Sequence, residues 1–221
     1  DLSVPHVLCV GGTETFGRFL ASPYPARLAS GLDLPVANMG VPHAGLDLVL
    51  GDPAVASATR TAAAIVLQLP GAANMSNRFY KVHPRRNDRF LVAEPTLRRI
   101  YPEVDFTEFH FTRHLLDRLK DLSPERFDTV RQDLRAEWRA RLARLLQEAG
   151  APVHLLWLAR RRPEAAEPKV GLGPDPLFVT ADMLRDVAGG AASLRASRTA
   201  RTILCSCPPL SMPSWINSSL A

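Results

Sequence analysis

Four stretches of the chain, residues 7–10, 35–38, 64–69 and 153–158, are runs of mostly Val, Ile, Leu and Ala without the alternation of a half-exposed strand. Continuous apolar character of this length predicts strands buried on both faces, as in a parallel sheet covered by helices. Between them lie helix-compatible stretches around residues 17–30, 53–63, 94–100 and 108–120. The alternation predicts a three-layer α/β/α domain with a mostly parallel sheet.

The strongest helix signal covers residues 123–149. Ser123 suits the N-cap, Pro124 the first helical position and Gly150 the C-terminal cap. Phe127, Val130, Leu134, Trp138, Leu142 and Leu145 recur at helical spacing and predict one apolar face. The six arginines between Arg126 and Arg144 then fall on a solvated face rather than on a nucleic-acid stripe. Residues 160–174 read as a polar, Pro-rich loop and 182–187 as a short helix. Beyond residue 188 the composition shifts to Ala, Ser and Arg, then to a stretch without helical period or acid. The reading is one domain over residues 1–188 and a poorly ordered tail over 189–221, with Ile203 and Leu204 as the place where an edge strand would form if the tail folds.

Charge changes this picture little. The chain has 221 residues and a net charge of +5. Three arginines and no acid follow Asp186, so only +2 belongs to residues 1–186. That balance gives no electrostatic footprint for nucleic acid. Cys9 reads as a small buried hydrophobe, and Cys205 with Cys207 forms neither a disulfide framework nor a metal knuckle. No apolar run reaches the roughly 18 residues that span a bilayer, and no leader precedes the first strand. The expectation is a cytoplasmic protein without membrane or nucleic-acid partners.

The strand ends carry the unusual residues. Strand one runs into Gly11-Gly12-Thr13-Glu14-Thr15-Phe16-Gly17, strand two into Asn38-Met39-Gly40-Val41-Pro42-His43, and strand three into Gly71-Ala72-Ala73-Asn74. In an open parallel sheet these loops share the carboxyl rim, where ligands bind. In these blocks the chain resembles the SGNH hydrolase superfamily, relatives of the GDSL lipases and esterases, over roughly residues 7–187. The resemblance implies a flavodoxin-like sheet. It places Thr13 in the nucleophile's position, Gly40 on the second block and Asn74 on the third. The chain also resembles, more closely, a family of bacterial proteins without assigned activity. They share G-G-T-E-T, S-N-R-F-Y-x-V-H-P-R-R-N-D-R-F and V-D-F-T-E-F-H-F-T-R-H.

The superfamily likeness implies an ester hydrolase or acyltransferase on a small or sugar-linked ester. Thr13 would attack, with the backbone near Thr13, the Gly40 amide and the Asn74 side chain as oxyanion donors. The chain departs from the pattern in carrying Glu14 beside the hole, no second acid in the third block, and no Asp-x-x-His after residue 154. A base would come from His43, His83, His110 or His114, with His43 in the loop after strand two as the candidate. The alternative is a degenerate member that binds an anionic ligand or partner. Its contacts would come from Gly12, Glu14, Asn77, Arg78, His83, Arg85 and Arg86, the arginines acting as guanidinium forks. His110 and His114, four apart, would share a helix face with Glu108 or Asp105 nearby. Without the H-E-x-x-H order that segment reads as a packed helix. Neither metal nor cofactor is expected.

Overall fold

Strand β1, His6–Gly11, is buried along its whole length and takes neighbours on both edges. Strand β2, Val36–Gly40, pairs in parallel on one side, and β3, Ala62–Gln68, on the other. Strand β6, Val153–Leu158, continues the parallel sheet beyond β3. The computed structural model describes residues 2–168, 170–189 and 191, together with the backbone of residues 193–198 and 201–203. That backbone adds β7, Ser193–Arg198, parallel to β6, and an antiparallel edge strand β8, Arg201–Ile203. The order is β2-β1-β3-β6-β7-β8. The other residues of the expected 189–221 tail, Gly189 and Ala191 apart, lie outside the described residues.

Alternate side chains of the buried strands feed opposite layers. Val7, Cys9 and Val66 pack with Leu28 and Tyr24 of helix α2, Tyr24–Gly31. Leu8, Val10, Ile65, Leu67, Leu155 and Trp157 face the larger core. That core is closed by α4 (Pro53–Thr59), α7 (Pro124–Glu148) and α8 (Ala181–Ala188). The fold is therefore three-layered, α/β/α.

Helix α7 begins at Pro124 as its sequence predicts: the Ser123 hydroxyl accepts from the Arg126 amide at 3.3 Å. Every residue of its expected apolar face is buried, and Trp138 Nε1 donates to Pro70 O at 2.9 Å, fixing the helix to the loop after β3. The helix expected at 17–30 is instead two, α1 (Thr13–Phe16) and α2. Gly17 ends α1 in the left-handed region, φ 72°, and a Cβ there would lie 2.2 Å from Pro23.

The basic and aromatic stretch after β3 is a hairpin, not a loop. Strands β4 (Tyr80–His83) and β5 (Arg86–Ala93) form a separate antiparallel sheet, with Tyr80, Val82 and Phe90 buried and Lys81 exposed. Short helices α3 (Leu46–Gly51) and α5 (Pro95–Ile100) follow β2 and β5. Helix α6, Thr112–Leu122, packs against α7.

Candidate functional site at the carboxyl rim

The order β2-β1-β3 reverses the direction of winding at β1, so the loops after β1 and β3 leave toward a common crevice. Gly11 pairs with Gly40 in register, and Gln68 ends β3 beside them. A Cβ on Gly11 would lie 2.3 Å from Thr15 Oγ1 and 2.5 Å from Gln68 Cβ. One on Gly40 would lie 2.4 Å from the Phe16 backbone nitrogen. Both glycines are required for α1 to sit this close to the strand ends.

The turn itself is held from below by one buried side chain. Gln68 Oε1 accepts from the Gly12 amide at 3.1 Å, the Thr15 amide at 3.0 Å and the Thr15 hydroxyl at 2.6 Å. Because Thr15 gives its proton to Gln68, the Tyr24 hydroxyl, 3.2 Å away, must donate to Thr15 Oγ1. Burial pushes the Cys9 thiol beneath up to about 12 and raises the Tyr24 phenol as well, so this layer of the network is uncharged. On the opposite edge Asn38 Nδ2 donates to Thr15 O at 2.9 Å, and Asn38 Oδ1 accepts from the Gly40 amide at 2.9 Å. The amide assigned to an oxyanion hole at Gly40 is thus spent on Asn38.

Thr13 and Glu14 lie above this network. Thr13 Oγ1 accepts from the backbone N–H of His43 at 3.2 Å. His43 holds φ 60°, a left-handed conformation in a residue with a branched ring, which stores strain at the mouth of the crevice. His43 therefore meets Thr13 through its amide. Among the described residues no histidine ring bonds the Thr13 hydroxyl. Glu14 Oε2 accepts from Gln68 Nε2 at 2.6 Å. A Cβ on buried Gly12 would find Glu14 Oε2 at 3.8 Å, with Ala44 O and Gln68 Nε2 each at 3.9 Å, so the missing side chain leaves an open cradle.

Asn74 joins the rim from the β3 loop. Its Oδ1 accepts from the Thr112 hydroxyl at 2.8 Å, at the first turn of α6, and a Cβ on Gly45 would lie 1.9 Å from Asn74 O. The same Gly45 donates its amide to Asn87 Oδ1 at 2.8 Å, and Asn87 Nδ2 donates to His83 O at 3.0 Å. The β2 loop, the β3 loop and the hairpin turn therefore meet at Gly45. The α3 residue Asp47 adds a second tie. Its Oδ2 accepts from the Ser76 amide at 2.7 Å, and its Oδ1 lies 2.6 Å from Arg141 Nη1.

The hairpin residues are largely engaged within the fold. Asn77 shapes its own turn, accepting from the Phe79 and Tyr80 amides at 2.8 and 3.1 Å. Arg78 pairs with Asp133 of α7 at 2.7 Å and lies over the Phe79 ring. His83 Nδ1 accepts from the Arg85 and Arg86 amides at 3.2 Å each, and Arg86 pairs with Asp88 at 3.4 Å. Arg85 and Arg86 are exposed at the turn.

His110 precedes α6 in extended backbone, where Phe111 pairs with Arg89, so it does not share a helix face with His114. Its carbonyl accepts from the Phe90 amide, and the His114 ring meets Phe109 edge-on at 4.9 Å. Among the described residues no group of three or more His, Cys, Asp or Glu side chains could hold a metal ion, and no helix is long and apolar enough to cross a membrane.

Residues 1–203 match the family described as a domain of unknown function, DUF6473. The chain belongs to that family. No curated protein matches it.

Several residues that build the rim of this DUF6473 chain escape a motif reading. Gln68 is the one hydrogen-bonding side chain in the apolar run that ends β3. That break is the signal that marks it, since a buried amide needs partners. Asn38 and Asn87 were visible only as parts of loop motifs, and Thr15 only as the second hydroxyl of Thr13-Glu14-Thr15.

Proposed function

We propose that this chain is a ligand-binding α/β protein of SGNH-like ancestry, holding a small polar ligand at the carboxyl rim with Thr13 as a hydrogen-bonding contact rather than a nucleophile. The observation that carries this reading is the His43 amide on Thr13 Oγ1 at 3.2 Å. A nucleophilic hydroxyl passes its proton to a base, whereas a backbone N–H occupies a lone pair and accepts nothing. The Thr13 proton stays available to a ligand acceptor. The turn behind it is prearranged by Gln68, so binding does not pay to order it.

The acyl-transfer reading keeps one specific support. Thr112 fixes Asn74 Oδ1, which leaves Asn74 Nδ2 as a donor at the rim. Hydrolysis of p-nitrophenyl acetate by wild type and Thr13→Ala separates the two. Equal rates at the uncatalysed background are expected. A Thr13-dependent rate or an acyl burst would replace the binding reading with the catalytic one. The anion-binding hairpin draws less support, because Arg78 and Arg86 already face Asp133 and Asp88.

A further inference from the structure

The open cradle over Gly12 has a defined polarity. Two of the three atoms nearest to it, Glu14 Oε2 and Ala44 O, are acceptors. The third, Gln68 Nε2, already donates to Glu14 at 2.6 Å. Glu14 is exposed, yet its carboxylate is not a swinging surface charge. Three donors converge on Gln68 Oε1, which turns the amide nitrogen outward and leaves it one way to point. That nitrogen pins the carboxylate over the glycine.

We propose that the cradle over Gly12 receives a hydrogen-bond-donating group of the ligand, a hydroxyl or an ammonium, and that Glu14 sets this specificity by excluding carboxylates and phosphates. A donor entering the cradle meets a carboxylate and a carbonyl oxygen together. An anion there meets a fixed like charge with no neutralising donor left. The inference rests on the ligand-binding reading above and narrows it to neutral or cationic polar ligands.

The test is a titration of the Gly12, Thr13 and Ala44 backbone amide NMR shifts with ethanolamine, ethylene glycol and glycolate. These are two-carbon probes of matched size, and the neutral and cationic arms separate hydroxyl from ammonium recognition. Wild type should bind ethanolamine about tenfold more tightly than glycolate, with the glycol between. Glu14→Gln retains an acceptor for Gln68 and should bring the charged probes to within about twofold of each other. Thr13→Ala should weaken all three. Equal wild-type affinity for ethanolamine and glycolate, still weakened by Thr13→Ala, overturns the role of Glu14 and leaves the rim site standing. Shifts indifferent to Thr13→Ala, or no saturable shift with any probe, overturn both.

Discussion

The turn after β1 and the basic hairpin after β3 both stand out in the sequence, one for its glycines and hydroxyls, the other for its arginines. They are built in opposite ways. The turn is fixed from within by Gln68, whose carbonyl takes three donors, and its polar side chains Thr13 and Glu14 are left at the crevice. The hairpin is fixed by Asn77 and Asn87 at its base, and its charged side chains are engaged by Asp133, Asp88 and the Phe111 ring. A dense run of charge is therefore the poorer guide to a ligand site here. Buried amides spent on holding a loop in place mark where the surface has been prepared.

Gly45 is where the two regions meet, and the largest effect is expected there. Gly45→Ala drives a Cβ to 1.9 Å from Asn74 O, against backbone that cannot swing aside. Urea unfolding should report a loss of ~3 kcal/mol or more. A loss under ~1 kcal/mol would mean the loops are not in contact.

Gln68→Ala should come next, at about 3 kcal/mol, because it strands two backbone amides and a hydroxyl in the interior. Asn87→Ala, which frees the Gly45 amide, should cost about 1 to 2 kcal/mol in the same assay. Equal losses for these two would break the contrast between turn and hairpin. At the small end, Arg78→Ala should cost under ~1 kcal/mol, since its pair with Asp133 has a largely exposed guanidinium. A loss of several kcal/mol would make that ion pair a main anchor of the hairpin on α7.

The layered fold and the long helix were legible because their signals are long. Seven buried apolar side chains on α7 and an unbroken apolar β1 repeat one message many times. Shorter elements were not. Tyr80-Lys81-Val82-His83 alternates over only four residues amid arginines, so a half-buried strand reads as a basic loop. The division of residues 13–31 into α1 and α2 depends on the single left-handed Gly17 and the proline that crowds it. At the site, residue types could nominate Thr13, Gly40 and Asn74 together, but not say what each amide was doing. Gly40 donates to Asn38 two residues back, and His43 reaches Thr13 with its backbone. Such contacts leave no trace in residue identity.

Amide hydrogen exchange resolved by residue tests most directly whether the rim turn is prearranged. The Gly12 and Thr15 amides, held by buried Gln68, should exchange as slowly as the Val66 amide in the centre of β3, opening only with the whole fold. The Arg85 and Arg86 amides, bonded to His83 at an exposed turn, should exchange orders of magnitude faster. Gly12 and Thr15 exchanging at the hairpin's rate would contradict a prearranged rim.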